Sequence, residues 1–368
     1  MNLEGDTAAI TPAISSEDSE IGGFDTSEFD PSDIDPDSIE WRSISSSIYR
    51  DSYENGRRYH TYRYGRYPIP NDDEEQVREE MKHAMHLELT EWVAFLQPEL
   101  SLTSPVASSS SPLLASIPSE SLTSAPGQEA GRYKVLPQPS LIAPRSSHTN
   151  PVADMYPSAE VIGTDLSPIQ PAWVPPNLRF LVDDAEDAWP YTGPFDLIHT
   201  RNVVSMIKDL PRFLIQAHDH LKPGGWIEFQ EFPGYVRFEA GSVENADVVR
   251  FWARLGEAMV EMGFRYWYSA EGQLGTMVEE TGFQEVRCKT VKVPIGSWAK
   301  NKTLRLCGMY MRVSLIHFIR AMAARPLLVL GTPDEVEEIA NKAIEELDKP
   351  GLRAFIEWRF WMGQKPKT

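Results

Sequence analysis

An α/β fold, with a mostly parallel sheet covered by helices on both faces, is what this sequence predicts. Three observations lead to it. Beyond residue 150, short apolar runs alternate with stretches of helical period. Several runs end in an acid, as at Asp165, Asp183 and Glu231. And Lys222-Pro223-Gly224-Gly225 stops one helical stretch before the next apolar run begins.

Composition sets the outer limits. The chain has 368 residues, 35 Lys+Arg against 54 Asp+Glu, and a formal net charge of −19. A hydrophobic fraction of 41% with ten Trp is ample for a sizeable core. The acidity argues against direct nucleic-acid binding, which needs a basic face. Two cysteines, Cys288 and Cys307, exclude a disulfide scaffold and a zinc site built on several thiolates, and no metal site is expected. No apolar run approaches the roughly 20 residues that span a bilayer, and no secretory signal opens the chain. The expected compartment is cytoplasm or nucleus, away from any membrane.

Residues 1–48 read as a disordered acidic tail. Positions 1–40 hold twelve acids and no Lys or Arg, too little apolar surface to offset ordering. Residues 49–100 read as an N-terminal lid and helical segment. Its first part interleaves Arg50, Arg57, Arg58, Arg63 and Arg66 with six tyrosines. Such a segment either stacks on single-stranded nucleic acid or packs its tyrosines on the main domain, and the second reading is preferred. The spacing then predicts a helix over 72–97, capped by Asn71, with an apolar stripe of Val77, Met81, Met85, Leu89 and Val93. Residues 101–150 hold thirteen Ser and seven Pro and read as a low-complexity insert.

The globular part follows over 151–368. Strands are expected at 160–165, 178–183, 195–199, 226–231 and 284–293, with a final one at 353–362. Helices are expected at 208–221, 244–262, 272–281, 302–324 and 333–347.

In an open α/β sheet, ligands bind outside the carboxyl ends of the strands. Asp165, followed by Leu166, suits a ribose, whose two hydroxyls a carboxylate can accept; the alternative is an acid capping the next turn. Asp184 with Ala185 suits an adenine, or a helix N-terminus. His199 and Arg201 end the third strand. They could act as a base and as a carboxylate clamp, or satisfy backbone carbonyls there. Glu231 ends the fourth.

The order of these pieces resembles the S-adenosylmethionine-dependent methyltransferases of the Rossmann-like class, and more narrowly the fungal LaeA-like (TAM-domain) family. The resemblance rests on Gly56-Arg57-Arg58-Tyr59-His60-Thr61-Tyr62, on Tyr67-Pro68-Ile69-Pro70-Asn71-Asp72, and on the run from Tyr156 through Asp165 to Pro171. Val182-Asp183-Asp184-Ala185-Glu186, the run from Leu221 to Glu231, and Pro294-Ile295-Gly296-Ser297-Trp298 extend it. It covers about 50–97 and 151–368. It implies a class I fold with an antiparallel final strand, S-adenosyl-L-methionine as cofactor, an unidentified methyl acceptor and a link to secondary metabolism. As cofactor contacts it implies Asp165, Leu166, Asp184, Ala185, His199, Arg201 and Tyr62, the last in a segment that closes over the site. His199 and Glu231 are the candidates to meet the acceptor.

One piece of the family pattern is missing. A Gly-x-Gly-x-Gly turn should follow the first, central strand, where only glycine lets the backbone approach the methionine portion closely. From Tyr133 to Pro151 this chain has no glycine and four prolines. Tyr133 to Leu136 could supply a stub of the central strand, which is otherwise expected to be degraded or missing. A wrong splice choice over the motif, or a methyltransferase turned into a protein-binding regulatory module through its acidic tail and helices 302–347, would each explain this. Weakened cofactor binding is expected either way. A Rossmann dehydrogenase would need the same missing glycines.

Overall fold

The computed structural model describes residues 50–96, 132–136, 153, 157–168, 174–191, 193–232, 234–239, 247–265 and 272–368. The acidic tail and most of the Ser/Pro-rich stretch lie outside these residues, and so does 137–152, where the glycine turn was expected.

Among the described residues, ten strands and six helices follow in order. A hairpin, β1 (Asp51–Glu54) and β2 (Arg57–His60), precedes α1 (Asp73–Leu96). Then come β3 (Arg132–Leu136), β4 (Glu160–Asp165), β5 (Leu178–Val182) and β6 (Phe195–Arg201). Helix α2 (Leu210–His220) leads to β7 (Leu221–Glu231) and the short β8 (Arg237–Phe238). Helices α3 (Asp247–Glu261) and α4 (Gln273–Glu280) precede β9 (Gln284–Pro294). Helices α5 (Lys302–Ala324) and α6 (Pro333–Leu347) precede β10 (Ala354–Gln364).

The main sheet runs β5-β4-β3-β6-β7-β10, with β8 and β9 each pairing β10. β3 to β7 are mutually parallel, and β10 is antiparallel to β7 and β9. The central strand is therefore present and only short: β3 pairs β4 from Arg132–Glu160 to Val135–Gly163, and β6 from Tyr133–Leu197 to Leu136–Thr200. Chain order reverses at β3, because β4 lies on one side of it and β6 on the other. Ligands of doubly wound sheets sit at such a switch point.

Two apolar clusters cover opposite faces. Helices α2 and α4 bring Phe213, Leu214, Leu274 and Val278 against Ile198 and Ile227. The other cluster gathers Met85, Phe251, Leu255 and Ile319 on β10's Ile356 and Trp358. Alternation along β10 puts Trp361 with the first cluster and Phe360 with the second.

Three expectations need correction. Lys222 to Gly225 is not a free turn: it lies within β7 as a bulge, where the pairing jumps from Phe195–Leu221 to Leu197–Trp226. Gly224 has φ +79°, and a Cβ on Gly225 would come within 3.1 Å of three backbone oxygens, so both glycines are required. The cap of α1 is Asp72, not Asn71: Asp72 Oδ1 accepts Glu75 N–H at 3.0 Å. And the apolar stripe of α1 does not define its buried face, since Val77 is 43% exposed. Of the stripe, Met85 and Leu89 are buried, and the charged residues Glu75, Arg78, Glu79 and Lys82 are buried with them.

Candidate functional site

The carboxyl ends of β4, β5 and β6 frame a pocket. From β4 come Thr164, Asp165 and Leu166. From the residues after β5 come Asp183, Asp184, Ala185 and Glu186, and after β6 come Asn202 and Val203. The parallel register Thr164–Leu181 and Asp165–Val182 sets the two acids side by side at one sheet edge.

Asp165 is buried, and its Oδ1 accepts Ser167 N–H at 2.7 Å. Burial pushes its carboxyl up to about 7, against the opposing effect of the Ser167 and Leu166 N–H groups. Asp184 is also buried; its Oδ1 accepts Glu186 N–H at 3.0 Å. Its Oδ2 lies 2.9 Å from Arg66 Nε, an ion pair without hydrogen-bond alignment.

The N-terminal segment closes over these acids. Arg66 also donates to Glu186 at 3.1 Å, Arg63 pairs with Asp187, and Tyr67 joins Arg66 on the pocket wall. Glu186 Oε1 accepts Lys208 and Asp209 N–H, which holds the opposite rim. Tyr62 itself does not line the pocket; it lies next to Arg63, whose guanidinium sits 5.8 Å from its ring centre.

His199 and Arg201 do not line it either. His199 is buried with Nδ1 3.3 Å from Glu228 Oε2. Arg201 donates from Nε to Gln230 at 2.9 Å and meets His83 of α1 at 3.3 Å. Both residues tie β6 to its neighbours. Burial lowers Arg201 to about 10, opposed by Glu228 and Glu79.

Asn202 was not singled out from the sequence. It has φ +51°, its N–H donates to Gln230 O, and its Oδ1 accepts Phe232 N–H at 3.1 Å. Asparagine tolerates this left-handed conformation better than most residues. Asn202 and Met206 form a wall shared with a second pocket, which contains Glu231. Glu231 is 1% exposed, and its Oε1 accepts Val203 N–H at 3.1 Å and Val204 N–H at 3.4 Å. Burial pushes its carboxyl up to about 8.

The residues of the first pocket fit the adenosine half of S-adenosylmethionine. Two adjacent carboxylates can accept ribose hydroxyls and an exocyclic amine, and apolar Leu166, Ala185 and Ile207 can flank the rings. The sheet order, with these acids at the ends of β4 and β5, defines a class I S-adenosylmethionine-dependent methyltransferase.

Comparison with known proteins narrows this. A methyltransferase-domain family model matches residues 150–287. The chain is 32% identical over 333 residues to methyltransferase pytC of Aspergillus terreus, covering 88% of this chain and 91% of that protein. It is 26% identical to the secondary metabolism regulator laeA of Aspergillus fumigatus, and 25% identical to the protein-methionine methyltransferase laeA of Emericella nidulans. Each match covers 85% of this chain and 76% of the relative. The chain belongs to the LaeA-like family of fungal S-adenosylmethionine-dependent methyltransferases.

Proposed function

We propose that the pocket at the ends of β4 and β5 holds the cofactor and that the adjoining pocket holds the methyl acceptor. Their shared wall carries this reading: Asn202 and Met206 belong to both, so a group bound in one faces a group bound in the other. Asp165 would hold the ribose, Asp184 and Ala185 the adenine, and Leu166 an apolar flank. Arg66 and Tyr67 would cover them, taking the place proposed for Tyr62. When bound, S-adenosylmethionine supplies an electrophilic methyl group on a sulfonium. The chain's own task is to align that methyl with a nucleophile and exclude water, and alignment alone can supply several kcal/mol. His199 and Arg201 act as positioning residues, one through Glu228 on β7 and the other through Gln230. Calorimetric titration with S-adenosylhomocysteine tests the assignment: Asp165→Ala should bind far more weakly than the unsubstituted chain, and equal affinity would overturn it.

One observation favours a second reading, a regulatory protein that binds partners without transferring methyl groups. From Tyr133 to Pro151 there is no glycine to let the backbone approach the methionine portion. Sequencing the transcript across the codons for 98–155 separates the two. A reading that restores a glycine turn supports the enzyme, and an unaltered reading with no measurable cofactor binding supports the regulator. Either protein would act in the cytoplasm or nucleus; among the described residues no helix is long and apolar enough to cross a membrane.

A further inference from the structure

We infer that the second pocket admits a small, flat, uncharged acceptor bearing an acidic hydroxyl, phenolic or enolic, and that Glu231 takes its proton. The inference rests on the methyl-transfer reading above. The walls set the shape and polarity. Phe232, Phe318, Trp358, Leu315 and Ile356 form an apolar, largely aromatic lining, suited to a planar ring system.

The charges set the rest. Arg78 and Lys82 reach the pocket from α1, but both are already paired. Arg78 donates to Glu75 at 2.9 Å and also pairs with Glu79, while Lys82 donates to Glu79 at 2.6 Å. A carboxylate acceptor would find no spare cation here, and its desolvation would go uncompensated. An ammonium would face a carboxyl that burial keeps largely protonated near neutral pH.

Glu231 is built differently. The two N–H groups on Oε1 fix the carboxyl in place, while the buried Oε2 has no hydrogen-bond partner. A buried polar atom without a partner is costly, and a ligand hydroxyl would satisfy it. Lys82 is the charged group acting on Glu231, with Arg78 along the same wall; α5 and β10 present Ser314, Leu315, Ile356 and Trp358, none of them charged.

The step balances. The acceptor hydroxyl passes its proton to Glu231 Oε2, and the oxygen lone pair forms the new O–C bond. The methyl–sulfur bond breaks with its electron pair left on sulfur. The products are a methyl ether, S-adenosylhomocysteine and protonated Glu231, which returns its proton to solvent.

The test is calorimetric binding of 1-naphthol, 1-methoxynaphthalene, 1-naphthoate and 1-naphthylmethylamine, an ammonium at both pH values, to the full chain at pH 6.5 and 8.5. The naphthol should bind at least about ten-fold more tightly than the methyl ether at pH 8.5. Its affinity should rise several-fold between the two pH values, because a donated hydrogen bond favours ionised Glu231. In Glu231→Gln that rise should vanish while S-adenosylhomocysteine binding stays unchanged. Preference for the amine or the carboxylate overturns the inference. So does an unchanged profile in Glu231→Gln, or no binding of any probe by a chain that still takes S-adenosylhomocysteine. Loss of S-adenosylhomocysteine binding with the naphthol preference intact would instead strike the cofactor assignment alone.

Discussion

The role proposed for Asp165 sets two demands that pull against each other. Accepting ribose hydroxyls requires a carboxylate, while burial favours the protonated form and raises the group to about 7. Hydrogen bonds to a charged group are worth about 1.5–3 kcal/mol each. Asp165→Ala should therefore lower cofactor affinity by about 10- to 100-fold, read by titration. In the unsubstituted chain affinity should fall as pH drops below about 7. Stability should move the other way. The folded carboxyl holds its proton more tightly than the unfolded one, so its contribution is present at acidic pH and lost as pH rises through about 7. Asp165→Asn should thus be more stable than the parent at pH 8, by on the order of 4 kcal/mol, with the gap closing near pH 4, measured by denaturant melts. His60 and His83, which burial lowers to about 4, titrate in both proteins and cancel from the comparison. Asp165 and Asp184 were legible in the sequence because each ends or follows an apolar run, where an acid is conspicuous. Arg66, Asn202 and Lys82 were not. Their places depend on how a loop and a helix dock, which no local spacing encodes.

At the scale of elements, α1 shows how a pattern can mislead. Its valine and methionines fall at helical spacing, yet the helix turns Glu75, Arg78, Glu79 and Lys82 inward. Buried charges are rare enough that sequence reasoning discounts them, and here two of them, Arg78 and Lys82, line the second pocket. The β1–β2 hairpin did carry a signal. Asn55-Gly56 is a two-residue turn with φ of 50° and 78°, the left-handed pair that such hairpins use. The interleaved arginines and tyrosines drew the reading away from it. Arg57 then anchors the hairpin to α1 through Asp72, at 2.5 and 2.8 Å. The β7 bulge gives a sharper expectation. Gly225→Ala places a methyl group against backbone oxygens of Phe195, Asp196 and Lys222, none of which can rotate aside. Forced packing of this kind costs about 1–3 kcal/mol, visible as a lower melting temperature. At the other end of the domain, Thr332 caps α6 in a reciprocal box with Glu335. Thr332→Ala should cost about 1 kcal/mol and leave cofactor binding untouched.

For the whole molecule, the −19 charge is unevenly placed, since twelve of its acids fall in residues 1–40. We expect a chain lacking 1–48 to keep the melting temperature and cofactor affinity of the full chain; a drop in either would show that the tail contributes to the domain. Fold class could be read ahead of the structure, because alternation and strand-end residues are local; the antiparallel final strand was expected only from the family resemblance. The central strand was harder to see, being five residues set among serines and prolines. Among the described strands, β4 and β5 join the rest of the sheet only through β3. That makes β3 a keystone for cooperativity. The β4–β5 pair positions Asp165 and Asp184 of the first pocket, while β6, β7 and β10 carry the remainder of the sheet. Neither half can complete its ladder until this short segment inserts between them, closing a long loop at an entropic cost. Its insertion should be a late, slow step in folding, and the acids of the first pocket would reach their final register only when it is complete.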